Sequence, residues 1–213
     1  MSENRILQNL ISLNSVFIQN AASGDEENPE AFSYFEKHSR VCLSAPHATK
    51  SFSQKQIKLS DLYTGAIVKY IGEENAYSYI VRNKFVPKKE LVSDFVLQNN
   101  LENHFFLDIH GMKDDNGFDL AVGTGYLEAE KYKTPLEYIK ELSEKHGLSY
   151  VINHQNYTGK PGFTGRLQEA TGKANILQLE FSRRYRDIFE HFENVQKTTL
   201  PFISEICEFI NRL

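Results

Sequence analysis

Cysteine is scarce in this chain of 213 residues, with Cys42 and Cys207 far apart and outside any CxxC spacing. That excludes a disulfide framework and a thiolate zinc site, and leaves both as small buried hydrophobes. No run approaches the ~18 apolar residues of a membrane helix, and Met1-Ser2-Glu3-Asn4-Arg5 lacks a basic segment leading into an apolar one, so a cytoplasmic protein is expected. Basic residues do not cluster and the formal charge is -4, which argues against nucleic acid or an anionic membrane surface as partner. Internal repeats, low-complexity tracts and cofactor boxes are also missing. The length suffices for a full core and reads as one domain over 1–213, with residues 1–40 the least patterned part. Oligomeric state is not legible.

Apolar periodicity orders the rest. Ile6, Leu7, Leu10 and Ile11 recur at helical spacing, whereas Ser12 to Gln19 fits a helix or an extended segment, and Ala21 to Glu30 reads as a loop. Val41 to Ser44 is a buried strand stopped by Pro46, which delivers His47 to its carboxyl end. Ser60-Asp61 opens a helix closed by Gly72, which places Asp61 in a first helical turn. Further strands are predicted over 76–81, 105–109, 118–123, 149–153 and 176–182, and helices over 90–100 and 134–146. The glycine-rich stretch Tyr157 to Arg166 reads as loop, and 187–213 as a helix or helix pair interrupted near Pro201. Strands alternating with helices indicate an α/β sandwich around a mostly parallel or mixed sheet.

In such a sheet ligands bind at the carboxyl ends of strands near a topological switch point. His47, His110 and Glu180 lie at or near such ends. Strand alternation puts Asp108 and His110 on one side and Leu107 and Ile109 on the other. A catalytic zinc site takes three protein ligands from histidine and carboxylate, and His47, Asp61 and His110 supply that set. Zinc lowers the pKa of a bound water to ~7 and polarises the carbonyl under attack. Glu180 is the candidate to collect the proton and pass it to the leaving amine. Asp108 is placed to orient His110 or another ligand through a hydrogen bond. Arg166, after the glycine-rich stretch, and Arg82, after a strand, are candidates to grip a substrate carboxylate or a developing oxyanion.

Each of these residues has a bland use when taken alone. His47 serves as a hydrogen-bonded core residue, Asp61 as a helix cap, and either arginine as a surface ion pair. The joint pattern points to metal-assisted hydrolysis. The remaining histidines are assigned to solvent or local hydrogen bonds, with His154 notable for adjoining the glycine-rich stretch. Histidine and carboxylate ligands also suit manganese, iron or cobalt, so the ion is written as one divalent metal, zinc by preference.

Ser44-Ala45-Pro46-His47, Asp61-Leu62-Tyr63-Thr64, Leu107-Asp108-Ile109-His110-Gly111, the stretch ending in Arg166, Leu177-Gln178-Leu179-Glu180 and Tyr185-Arg186-Asp187 together resemble the N-formylglutamate amidohydrolase family of zinc-carboxypeptidase-like hydrolases. The resemblance implies a phosphorylase/hydrolase-like three-layer α/β/α fold with a mixed sheet. It also implies a divalent metal at His47, Asp61 and His110, a catalytic Glu180, and Arg166 on the substrate's carboxylate. The implied reaction is cleavage of an N-acyl amino acid. The turn Pro46-His47-Ala48-Thr49 departs from the family's proline-histidine-serine-glycine, and Arg82-Asn83 reverses its asparagine-arginine pair. A different acyl group, or a short peptide cut by a related metallopeptidase, therefore stays among the implied substrates. A binding protein on the same fold is the alternative from another class.

Overall fold

Short runs of β-branched, aromatic and aliphatic residues bounded by polar turns form strands here, and amphipathic runs between them form helices. A computed structural model describes residues 3–53, 56–88, 90–172 and 175–213. In chain order the elements are α1 (Glu3–Ala22), β1 (Phe32–Phe35), β2 (Val41–Ala45), β3 (Ser51–Ser53), β4 (Gln56–Lys58), α2 (Thr64–Glu74), β5 (Ser78–Arg82), α3 (Val92–Gln98) and β6 (Phe105–Gly111). Then come β7 (Leu120–Gly123), α4 (Lys133–Lys145), β8 (Tyr150–Ile152), α5 (Phe163–Thr171), β9 (Ile176–Phe181), α6 (Phe192–Asn194) and α7 (Leu200–Arg212).

One mixed sheet of seven strands runs β1-β5-β2-β6-β9-β7-β8, and β3 and β4 form a separate hairpin. The central strands β5, β2, β6 and β9 are mutually parallel, while β1 and β7 pair antiparallel with β5 and β9. From β2 the chain crosses through α2 to β5 on one side, then through α3 to β6 on the other. The order therefore reverses about β2, and a crevice opens at the carboxyl ends of β2 and β6.

Two apolar clusters sandwich the sheet. Leu43, Leu107 and Leu179 pack with Phe17 of α1, Ile67 of α2, Ile139 of α4 and Phe202 of α7. On the opposite face Cys42, Phe106 and Ile176 pack with Val96 of α3 and with Phe163 and Leu167 of α5. Completely burying a side chain such as Leu107 contributes about 1.5–3 kcal/mol. Because side chains alternate, the α3/α5 face continues from Cys42 to Ser44, from Phe106 to Asp108 and His110, from Ile176 to Gln178 and Glu180, and from Ile80 to Arg82. Along each strand this face turns from apolar to polar toward the carboxyl end.

The expectations fail at specific places. The ambiguous segment from Ser12 is helical within α1, whose backbone leaves helical angles at Gln19 to Ala22. Asp61 precedes α2, which starts at Thr64 and continues past Gly72 to Glu74. The α2 start carries no side-chain cap, and the Asp61 carbonyl accepts instead from the Thr64 amide and hydroxyl. The stretch Tyr157 to Arg166 is loop only as far as Gly162, since α5 begins at Phe163 and contains Gly165. A β-carbon at Gly165 would stand 2.1 Å from the Lys160 carbonyl oxygen, so glycine is there for close approach rather than for a turn. Near Pro201 the helical run of the last segment is interrupted as expected: a wide turn over Val195–Thr199 separates α6 from α7, and Pro201 lies in the first turn of α7. Among the described residues no helix is long and apolar enough to cross a membrane.

Candidate active site

Pairing of β2, β6 and β9 assembles the site. Ser44 lies opposite Asp108, which lies opposite Gln178, and His110 lies opposite Glu180. Asp108 is completely buried and accepts from Ser44 Oγ at 2.7 Å and shares a 2.8 Å hydrogen bond with His110 Nε2. The other ring nitrogen, His110 Nδ1, stands 3.1 Å from Asp61 Oδ2. His110 is thus clamped between two carboxylates. Burial disfavours its cation, yet Asp108 and Asp61 outweigh that effect and raise its pKa to about 10.

Asp61 reaches the cluster because the chain after the β3–β4 hairpin folds back on the β2 exit, with the Asp61 amide donating to the His47 carbonyl at 2.8 Å. Burial pushes its carboxyl up, but the bond with His110 and the charge of Lys58, whose Nζ is 3.8 Å from Oδ2, hold the pKa below the usual carboxylate range. His47 follows Pro46, and its ring centroid is 5.1 Å from that of His110. Its Nδ1 lies 3.0 Å from Ser51 Oγ, which leaves Nε2 free. Burial, with Lys58 adding to it, lowers the His47 pKa well below 6.5, so this imidazole is neutral as a ligand must be.

Glu180 is buried, and its Oε1 accepts from Gln178 Nε2 at 2.8 Å. Burial raises its pKa to about 7; His110 opposes the rise, and the Asp61 charge reinforces it. Beside His47 opens a cavity of about 90 Å³ whose walls include Phe52, Arg82, Leu91, Phe163 and Arg166. His47 is the member of the cluster that lines it; Asp61, His110 and Glu180 lie outside its lining. Arg82 is buried on the Phe32 ring, 4.3 Å from its centroid, and donates from Nε to the Pro46 carbonyl and from Nη2 to the Glu90 carbonyl. Arg166 is held only by a 3.3 Å bond from Nε to the Pro161 carbonyl, and its Nη groups have no acceptor among the described residues.

All seven sequence-derived candidates therefore gather at one end of the sheet, five in the buried cluster and both arginines on the neighbouring cavity. Ser44, Ser51, Gln178 and Lys58 complete the cluster and were not assigned roles from sequence. Sharing a face with a candidate was the available signal for Gln178, whereas Ser44 depends on strand register, which one sequence does not reveal.

The donor set fits a divalent cation. Neutral His47 offers Nε2, Asp61 Oδ2 and His110 Nδ1 adjoin at 3.1 Å, and Asp108 occupies the other His110 nitrogen as a carboxylate does behind a metal-bound histidine. Among the described residues no three such side chains stand preassembled as a metal cage, both His110 nitrogens being engaged with carboxylates.

The architecture is a three-layer α/β/α sandwich with a mixed central sheet, the fold shared by N-formylglutamate amidohydrolases. The chain is similar to the N-formylglutamate amidohydrolase from Ralstonia eutropha JMP134, with TM-score 0.60 and 11% identity over 85% of this chain and 99% of that one. It is also similar to a bacteriophage poly-gamma-glutamate hydrolase, with TM-score 0.51 and 18% identity over 88% and 89% of the two chains. A gene product from Agrobacterium tumefaciens matches with TM-score 0.56 and 11% identity over 86% and 94%. At these identities the likeness is one of fold. No protein-family model and no curated protein matches the chain.

Proposed function

We propose that this protein is a metal-dependent hydrolase that cleaves the amide bond of an N-acyl amino acid. The observation that carries the reading is His110 held between Asp61 and Asp108 with the neutral His47 ring alongside and Glu180 opposite in register. In this reading His47, Asp61 and His110 hold one divalent ion, zinc by preference. When bound, the ion supplies an acidified water and a Lewis acid for the scissile carbonyl.

The chain's own residues do the rest. Asp108 keeps a proton on His110 Nε2, so that Nδ1, which shares a proton with Asp61 in the metal-free protein, would give up that proton and offer its lone pair to a bound ion. Gln178 fixes Glu180 Oε1 and leaves Oε2 to receive a proton from the attacking water and return it to the leaving nitrogen. Burial, which raises the Glu180 pKa to about 7 in the metal-free protein, suits this carboxyl to take up and return a proton. Arg166, with its Nη groups free, takes the carboxylate of the amino acid, and Arg82 fixes the Pro46 carbonyl and thereby the strand exit that carries His47. The fold likeness to an N-formylglutamate amidohydrolase and a poly-gamma-glutamate hydrolase supports amide cleavage beside a glutamate-like residue.

Zinc-loaded wild type is expected to release the amino acid from short acyl derivatives. Glu180→Gln should lower kcat by about 10²–10⁴ while zinc stoichiometry stays at the wild-type value. His110→Ala should lose both. Persistent turnover in Glu180→Gln would remove that residue as the base, and zinc retained by His110→Ala would remove the histidine from the ligand set.

A further inference from the structure

We propose that Phe118, His154 and Tyr157 form an acyl-side subsite at the β7 edge of the site, with the Tyr157 hydroxyl donating to an uncharged, amide-bearing acyl chain longer than formyl. The inference rests on the amidohydrolase reading and names its substrate class.

Sheet register places this trio. Ala121 lies opposite Glu180 and Gly123 opposite Gln178, so the Ala121 methyl and the open face of Gly123 lie on the catalytic side of the sheet. A β-carbon at Gly123 would stand 2.7 Å from the Tyr157 carbonyl oxygen and 2.7 Å from the Thr158 carbonyl carbon. The chain at 157–158 therefore lies directly on β7 beside Gln178 and Glu180, and only a glycine admits it. From there the loop runs past Gln178, whose Oε1 is 3.6 Å from where a Gly162 β-carbon would be, to Arg166 on the cavity wall. One loop thus joins the arginine end of the site to the tyrosine end.

The three rings form one half-buried surface. His154 stacks on Tyr157 with centroids 5.6 Å apart, and Phe118 sits 5.1 Å from His154 and 6.3 Å from Tyr157. Asn116 Nδ2 donates to the Lys113 carbonyl at 2.8 Å, which fixes its amide orientation, and the same nitrogen lies 3.1 Å from Tyr157 Oη. The phenol oxygen must therefore accept from Asn116. Its own O–H has no acceptor among the described residues. Burial, followed by the charges of Glu180, Asp115 and Asp61 and against the effect of the Asn116 bond, raises the phenol's pKa, so it holds its proton at neutral pH.

An N-acyl amino acid has one anionic end. With that end at Arg166, the acyl end crosses Glu180 and reaches the rings. The negative charges around Tyr157 disfavour a carboxylate there, whereas flat amide or aromatic surface packs on the rings and an amide carbonyl accepts the free O–H.

The test compares N-formylglutamate, N-acetylglutamate and N-(benzoylglycyl)glutamate with zinc-loaded protein. The ratio of kcat/KM for the benzoylglycyl compound to that for the formyl compound is expected to exceed about ten, the discrimination available to one hydrogen bond with ring packing. It should fall about tenfold in Tyr157→Phe, which keeps the ring and loses the hydroxyl, with Asn116 Nδ2 still bonded to the Lys113 carbonyl. A ratio near one in wild type, or one unchanged in Tyr157→Phe, overturns the subsite. Calorimetric titration of Glu180→Gln protein with the same compounds decides it without turnover: tighter binding of the benzoylglycyl compound, weakened by Tyr157→Phe, supports the subsite, and equal binding of all three overturns it. Wild type that cleaves none of them refutes the amidohydrolase reading instead.

Discussion

Replacing Asp108 by Asn in protein stripped of metal with a chelator should flatten the dependence of stability on pH. In wild type the folded His110 pKa is raised from 6.5 to about 10. A group that binds its proton more tightly when folded contributes its full stabilisation below the unfolded pKa, and that contribution is lost as pH rises through the folded one. Each pH unit in this window removes up to about 1.4 kcal/mol, so wild type should lose about 3 kcal/mol between about pH 7 and about pH 9.5. Asp61, held below the carboxylate range by the same ion pair, titrates far below this window and adds nothing to the slope. Glu180, raised from 4.5 to about 7 by burial, acts with the same sign at lower pH, destabilising the fold as pH climbs from 4.5 toward 7.

Asn at position 108 is nearly isosteric but removes the nearer of the two charges on His110, whose Nε2 is 2.8 Å from the carboxylate. It also disturbs the bond from Ser44. The variant should be about 2–4 kcal/mol less stable at neutral pH, the cost of losing one partner of a buried charged pair. Urea denaturation midpoints across the pH series measure both quantities. A wild-type stability that stays level from about pH 7 to about pH 9.5, or an Asp108→Asn variant with the wild-type slope, would refute the assignment of His110 as a clamped cation in the metal-free protein.

Gly165→Ala places a methyl 2.1 Å from a backbone oxygen, so α5 or the loop before it must move; a loss of about 1–3 kcal/mol in thermal or urea unfolding is expected. The two arginines should separate by assay. Arg166→Ala should raise KM for carboxylate-bearing substrates with a smaller change in kcat and little change in melting temperature. Arg82→Ala strips donors from two carbonyls and a cation from the Phe32 ring, so its main signature should be a lower melting temperature; the reverse pattern would exchange their roles.

Residues whose chemistry is local were legible before the fold was. Alternation in Phe105 to Gly111 put Asp108 and His110 together because a strand has one period, and Pro46 after an apolar run placed His47 at a strand exit for the same reason. What stayed hidden depends on pairing between distant segments. Ser44 reaches Asp108 through the β2–β6 register, and Tyr157 neighbours Glu180 because β7 pairs with β9. Gly165 misled for a different reason. Glycine density reads as loop when only backbone freedom is weighed, but here it records a helix pressed against the preceding turn, a steric demand visible only once both are in place.

The α3/α5 face shows how one sheet serves stability and chemistry together. Its apolar residues, Cys42, Phe106 and Ile176, sit at the amino halves of the central strands, where α3 and α5 cover them. Past those helices the same face holds Asp108, His110 and Glu180, each almost removed from solvent. Burying such charges costs several kcal/mol each unless they are matched. In the metal-free protein the proton shared around His110 offsets part of that cost between Asp61 and Asp108. A divalent ion at the Asp61–His110 junction would offset more, since among the described residues the cations paired with Asp61 are Lys58, at 3.8 Å, and the histidine. In the proposed reading, the buried carboxylates that cost folding energy are also the groups that would hold the ion, and they lie where the strand order reverses.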